Sequence, residues 1–507
     1  VGGITPLARN TAKEEDMPSP TPVPVLVGVD QVLQRTDDLA QAREPLELMI
    51  EAVQGAARDA GSTALLERAG SVRVVRGLWR YGDPGRVIAE RIGAPTGETA
   101  ITTMGGNGVQ YLVNRTCLDI QAGRQDVVVI AGAECGRSFS RARKAGIRPS
   151  WSDVPGTADV QIGENVPMIH DFEIARGIGA ANQVYSMFDN ALRYSRGWSI
   201  EEHRRRISEL WAGFSEVASK NPNAWIRERK TADEIATPGP GNRAVTFPYP
   251  MLMNSNSRVD MGAALILTSE QTALALGVAR EKLVYPHAGT DVHDHPYLSE
   301  RDDLHSSPGM RVAGRRCLEL AGLSPAELDH REVYSCFPSA VQIAAHEIGL
   351  DSSSPLSVTG GNTFGGGPMN NVVMHSIARM AEVLREAPGT KGLVTANGGF
   401  LTKHSFCVYS TEPPERPFQH ESPQAVVDAL PKREAVLDAT GEVHIEAYTV
   451  MYKDGEPSVG HAACLLPDGR RTWGRVTDPA AARAMTRDEF CGRPARLADG
   501  GELESIQ

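Results

Sequence analysis

The sequence predicts an α/β fold built on a duplicated strand-and-helix unit, and three observations lead there. Strand-like and helix-like stretches alternate through most of the chain. Asp126-Val127-Val128-Val129-Ile130-Ala131-Gly132 is an apolar run of the kind buried on both faces of a sheet. Thr102-Thr103-Met104-Gly105-Gly106-Asn107-Gly108-Val109-Gln110 carries a strand through a glycine turn into a helix, and a second glycine turn, Thr359 to Pro368, opens another helix about 260 residues later.

Taken in order, Val25 to Val29 is a short apolar strand, and Glu44 to Ala60 sets Leu46, Met49, Ile50, Val53, Ala56 and Ala57 on one helical face. Ser71 to Val75 is the next strand, with a short helix around Val87 to Ile92. Glu98 to Thr103 enters the Gly105 turn, after which Val109, Leu112, Val113, Thr116, Cys117 and Ile120 recur at helical spacing. Between about 149 and 250 the pattern is irregular, with helices at Ala181 to Arg196 and Ile200 to Ser219; such a length reads as a loop domain over a ligand.

Alternation resumes with strands at Ala263 to Leu267 and Leu283 to Tyr285 and a helix from Gly309 to Ala321. Glu332 to Tyr334 is a strand and Phe337 to Ile348 a helix. The second glycine turn follows, then a helix with Val372, Val373, Ile377, Met380 and Leu384, and a strand from Gly392 to Thr395. A Pro/Glu-rich linker, Glu412 to Pro423, precedes strand-like segments at Val443 to Met451, Ser458 to Leu466 and Thr472 to Val476, which read as a small OB-like β-barrel.

The expected organisation is a leader or tail at 1–21, a first half at 22–280, a second half at 281–411, and the linker with its small β domain at 412–507. With 507 residues and 54.5 kDa there is room for two or three well-buried cores. A net charge of −11 argues against general nucleic-acid binding, which needs basic patches. Seven cysteines, scattered and without CxxC spacing, predict neither a disulfide framework nor a zinc site, and a reducing cytoplasm is the expected home. No apolar run approaches eighteen residues, so no membrane insertion is expected.

From about Val25 to Ser410 the chain resembles the thiolase superfamily, in the branch of the sterol-carrier-protein-x thiolases and bacterial thiolase-like acetyl-CoA acetyltransferases. Val109-Gln110 and the helix behind them match the segment after the family nucleophile, and Ile130-Ala131-Gly132-Ala133-Glu134 matches a glycine-ended strand. Ser257 to Ala264 matches "S-x-x-x-D-G-A-A", with Met261 replacing the acidic residue. Tyr334-Ser335-Cys336-Phe337 falls on the "N-E-A-F" or "H-D-C-F" box, Gly366-Gly367-Pro368 on "G-H-P" and Ala396-Asn397-Gly398 on "C-x-G". The resemblance implies two α/β halves in α-β-α-β-α layers.

Thiolase chemistry uses a cysteine that takes the acyl group, a histidine that activates it, an asparagine or histidine that holds an oxyanion-hole water, and a second cysteine that moves the α-proton. In this chain those positions are Gly105, Gly367, Tyr334 and Ala396. None keeps the family's residue. Cys117 lies twelve residues along a helix, roughly 18 Å away, and cannot substitute. Cys336 is in the right box, where the resemblance also puts a cysteine in relatives with an intact nucleophile.

What the resemblance preserves is backbone: the N–H groups of Gly105 and Gly398 either polarise a thioester oxygen or simply permit turns. His404, beside the Asn397-Gly398-Gly399 turn, is the acid/base candidate, with a plain hydrogen-bonded histidine as the alternative. Ser257 matches the serine on the pantetheine arm, and Arg227 and Arg229, with Lys230 and Arg204-Arg205-Arg206, are candidates for the nucleotide end of CoA. His287, Asp291, His293, Asp294, His295 and His305 crowd one Pro-flanked stretch, which reads as a hydrogen-bonding loop in preference to a metal site.

The expected protein binds CoA or acyl-CoA in lipid or sterol metabolism without thiolytic activity and holds no metal. Retro-aldol cleavage of a CoA thioester through Tyr334 is the first alternative, and acyl transfer through Cys336 with His404 the second. The resemblance implies a homodimer, with a monomer and a partner enzyme also open.

Overall fold

The computed structural model describes residues 21–95 and 97–507, so the tail expected at 1–21 lies, but for Thr21, outside the described residues. Three sheets follow one another along the chain. The first contains β1 (Pro24–Leu33), β2 (Ala69–Val74), β3 (Glu98–Thr102), β4 (Val127–Cys135), β5 (Val160–Ile162) and β6 (Asp260–Ser269), in the order β1-β6-β4-β2-β3-β5. The second contains β7 (Tyr285–His293), β8 (His330–Glu332), β9 (Lys391–Gly398), β10 (Lys403–Ser410) and β11 (Gln419–Glu421), in the order β11-β7-β10-β9-β8.

The duplication expected from the two glycine turns is visible in how these strands pair. In the first sheet β1 is antiparallel to β6, β6 antiparallel to β4, and β4 parallel to β2. In the second, β7 is antiparallel to β10, β10 antiparallel to β9, and β9 parallel to β8. Equivalent helices follow the first strand of each set, Pro45–Ala60 and Pro308–Leu320, and precede the third, Gly108–Gln121 and Val372–Glu386.

The last two helices lie between the sheets. Val109, Leu112, Val113 and Ile120 of one and Val373, Met374 and Ile377 of the other share a core with Val128, Ile130 and Leu265 from the first sheet and Val394 and Cys407 from the second. Val127, Val129 and Ala131 of β4 face the other way, into a core closed by Leu46, Met49, Ile50 and Val53 of the outer helix Pro45–Ala60. This is why β4 reads as an unbroken apolar run: a period-two strand with both faces buried shows no alternation. Helix Pro308–Leu320 covers the far side of the second sheet, contributing Met310, Ala313 and Cys317 beside Phe406 and Val408 of β10. Five layers result.

The loop region contributes helices Ala181–Ser195 and Ile200–Lys220, the latter capped where Ser199 Oγ accepts from the Glu202 amide at 3.1 Å. The third sheet, β12 (Gly441–Lys453), β13 (Glu456–Leu465), β14 (Arg471–Val476), β15 (Pro494–Leu497) and β16 (Leu503–Glu504), runs β14-β13-β12-β15-β16 with antiparallel neighbours. A helix, Pro479–Ala484, separates β14 from β15, and a parallel bridge from Arg475 to Glu502 draws the two ends of the sheet together.

This small domain is docked, not tethered. Phe247 N donates to Val450 O at 2.8 Å, Asn190 Nδ2 to Tyr448 O at 2.9 Å, and the fully buried Arg471 to Ser299 O at 3.0 Å.

The linker expected at 412–423 contains a short strand: residues 419–421 form β11, paired in parallel with β7. One expectation is corrected. The histidine-rich stretch is not a loop over its first half, because Tyr285–His293 is the long strand β7, held between β10 and β11. It was hidden by the polar side chains that β7 carries.

Three of the four edge strands of the two halves are short: β5, β8 and β11 have three residues each, while the ten-residue β1 meets Val284 at Leu26 through a pair of bonds of 2.8 and 3.0 Å.

Candidate functional site

The strand-to-helix turn at Gly105 and the strand end at Gly398 meet. A β-carbon on Gly398 would lie 3.1 Å from the Gly106 amide nitrogen and 3.2 Å from that of Asn107. One on Gly106 would collide with the Tyr334 hydroxyl and the Asn397 carbonyl, so only glycine permits this approach. Gly105 has φ +153°, a backbone conformation that a cysteine would rarely adopt. The amides of Gly105, Gly106 and Asn107 donate to no acceptor among the described residues.

Of the positions expected from sequence, Tyr334 and Gly398 touch that turn, and Gly367 and Ala396 stand further off. Tyr334 is half-buried, its amide bonded to Thr395 Oγ1 at 2.9 Å, and its phenol pKa is pushed well up by burial and the neighbouring Cys336 thiol. Gly367 joins through Asn362, whose carbonyl faces it and whose amide donates to Ser335 Oγ at 3.1 Å. Ala396 is buried in β9 opposite Ser405. Asn397 Nδ2 donates to the Tyr185 hydroxyl at 2.9 Å, and the same hydroxyl takes the Leu401 amide at 2.9 Å, so a loop-region helix pins the turn that carries Gly398. Cys336 is 3.9 Å from Asn397 Nδ2, and burial pushes its thiol up to about 12.

His404 is not part of this group. Side chains alternate along β10, and His404 faces the outer layer, fully buried, with Nε2 3.0 Å from Asp294 Oδ2 and 3.3 Å from Ser307 Oγ. Its neighbour Lys403 takes the inward face. Lys403 Nζ donates to Met104 O at 2.7 Å and lies 3.1 Å from where a β-carbon on Gly105 would be. Sequence reasoning passed over Lys403, although a lysine inside the strand Lys403-His404-Ser405-Phe406-Cys407-Val408 was the available signal.

The ligand-arm candidates separate. Ser257 is exposed, and its carbonyl packs on Gly136, next to Arg137. Arg35 stacks on Trp225 at 4.6 Å, and its pKa is lowered by burial and then by the charges of Arg227 and Arg137. Ser257 and Arg227 therefore border one electropositive corner. Arg229 is engaged elsewhere, 3.2 Å from Glu216, and Arg205, Arg206 and Lys230 each have a glutamate partner. No group of three or more metal-ligating side chains converges among the described residues. All seven cysteines are buried and unpaired. No helix among the described residues is long and apolar enough to cross a membrane.

Known proteins place this geometry. Residues 290–411 match the family described as thiolase C-terminal domain-like, and residues 423–502 match the additional C-terminal domain of thiolase-like protein type 1. An acetyl-CoA acetyltransferase of Methanocaldococcus jannaschii is 23% identical over 52% of this chain, which spans 60% of that enzyme's length. The structure of an Ltp2-ChsH2(DUF35) aldolase shares the fold, with a TM-score of 0.57 and 19% identity over 77% of this chain and 99% of that one. A monomeric SCP2-thiolase-like protein type 1 from Mycobacterium smegmatis aligns with a TM-score of 0.82 and 30% identity, covering 96% of this chain and all of the other. The chain belongs to the SCP2-thiolase-like proteins of the thiolase superfamily.

Proposed function

We propose that this protein binds CoA or an acyl-CoA thioester and polarises it without passing the acyl group to a cysteine. One observation carries the reading: the Gly105 turn bears free amides beside the Tyr334 phenol where the family would have its nucleophile, while Cys336 stays protonated and His404 faces away. Free amides at a helix start suit a thioester oxygen. Ser257 and the corner of Arg35 and Arg227 supply the polar and cationic surface that a pantetheine arm and phosphates need, while Arg137 beside them is paired with Asp37.

Calorimetric titration of CoA into the full chain tests this. Binding is expected, weakened about tenfold by Arg227→Glu, with no acetyl adduct on any cysteine after incubation with acetyl-CoA. Undetectable CoA binding, or an acetylated cysteine, overturns it.

A second reading, retro-aldol cleavage of a CoA thioester, is favoured by the Tyr334 hydroxyl at the same turn. Its raised pKa makes it a donor to the thioester oxygen and leaves the base for the substrate hydroxyl to another group. Product analysis with a branched β-hydroxyacyl-CoA, for the wild type and Tyr334→Phe, decides that reading. Acyl transfer through Cys336 and His404 draws no support from a thiol held near 12 and an imidazole on the opposite face of β10.

The strand connectivity of the third sheet, with its helix between β14 and β15, supports an OB-like barrel. The three-residue edge strands β5, β8 and β11 support a monomer. A place in lipid or sterol metabolism and a cytoplasmic setting remain part of the same proposal.

A further inference from the structure

A cavity of about 190 Å³ opens beside the Gly105 turn, on the face of the second sheet that looks at helix Gly108–Gln121. Strand register decides what lines it. On β7 the inward positions are Gly289, Asp291 and His293; opposite them on β10 stand Cys407, Ser405 and Lys403, and opposite Gly289 on β11 stands His420. Tyr111 from the helix and Glu164 at the exposed rim complete it.

The charges in this cavity do not balance. Asp291 is satisfied: His420 Nε2 lies 2.6 Å from its Oδ2, and Asn114 Nδ2 is 3.2 Å from both oxygens. Lys403 is 7% exposed, yet its only hydrogen bond is to the Met104 carbonyl, and no carboxylate lies within 4.0 Å among the described residues. Burial lowers its pKa. An ammonium withdrawn from water with no counter-charge is unfavourable, and a bound anion removes the imbalance. Tyr111 presents a hydroxyl donor without a hydrogen-bond partner among the described residues.

We infer that this cavity binds a small monocarboxylate, with its carboxylate on Lys403 Nζ and a hydrogen bond donated by the Tyr111 hydroxyl. Lys403 carries a buried positive charge with no counter-charge beside it, while Glu164 at the rim is exposed to water, and that calls for a monoanion. The volume lies below the ~300–1,000 Å³ usual for drug-sized ligands, which limits the acid to a few carbons. The cavity borders the turn proposed for the thioester and shares Asn107 with it, but neither Ser257 nor Arg227 lines it, and its test needs no CoA.

Propionate is titrated against the full chain, with propionamide as the uncharged control, by calorimetry and by melting temperature. Propionate is expected to bind at millimolar concentrations and raise the melting temperature, while propionamide does neither. Lys403→Met is expected to weaken propionate by about tenfold to a hundredfold. It should also melt higher than the wild type without ligand, because it deletes an unmatched buried charge. Tyr111→Phe, which leaves Lys403 in place, weakens propionate by a smaller factor and covers the case of a Lys403 variant that does not fold. Equal effects of propionate and propionamide, no propionate effect on the wild type, or unchanged affinity in Lys403→Met each overturn the inference. None of these outcomes touches CoA binding measured separately.

Discussion

Lys403 Nζ donates to the Met104 carbonyl at 2.7 Å, and its last methylene lies 3.2 Å from the β-carbon position of Gly105. The space of the family nucleophile is thus occupied from across the sheet, and the backbone there has φ +153°. Gly105→Cys is therefore expected to cost roughly 1–3 kcal/mol in urea unfolding and to gain no acetyl group from acetyl-CoA by intact mass. A Gly105→Cys protein that keeps wild-type stability and takes up an acetyl group would contradict this arrangement.

Burial holds the Cys336 thiol near 12, and the other six cysteines are buried with it. At pH 8 roughly one Cys336 in ten thousand is a thiolate, given a tenfold change per pH unit. Iodoacetamide is expected to leave the folded protein unmodified at that pH and to label all seven cysteines after denaturation. Rapid single-site labelling at Cys336 would mean a reactive thiol after all.

Glu134, 6% exposed, accepts the Leu78 amide at 2.8 Å, and burial raises its carboxyl from 4.5 to about 7. The folded state thus binds the proton more tightly than the unfolded chain. Its stabilising contribution is complete below about pH 4.5 and disappears as pH rises through about 7. The difference is about 3 kcal/mol at 1.36 kcal/mol per unit. Glu134→Gln should be more stable than the wild type at pH 8 and match it near pH 4.5, as read from urea midpoints at both values.

Arg471 is fully buried, its guanidinium paired with both oxygens of Glu446 at 2.6 and 2.7 Å while it donates to the carbonyl of Ser299. Breaking such a pair from one side costs about 3–5 kcal/mol. In Arg471→Met the loss should appear first as faster hydrogen exchange across β12 to β16, before the two core sheets respond. Uniform loss of protection would show that the small domain and the core unfold together.

The fold was legible because its determinants are local. β4 declares itself by an unbroken apolar run, and the central helices by glycine turns followed by a 3.6-residue period. β5 and β11 were missed because three residues are too few to show a period. The site was legible as a set of positions and illegible in its parity: His404 and Lys403 are adjacent, and only the register of β10 against β7 says which one faces the turn. The Asp291–His420 pair could not be read at all, since its partners are 129 residues apart and meet through β11.

Asp291 and Lys403 of the cavity stand on two neighbouring strands of one sheet, β7 and β10, and Tyr111 on the helix packed against them. A ligand site assembled wholly within one chain has no neighbour to lose. At a fixed free-ligand concentration its occupancy per molecule should then be the same at nanomolar protein as at high protein concentration.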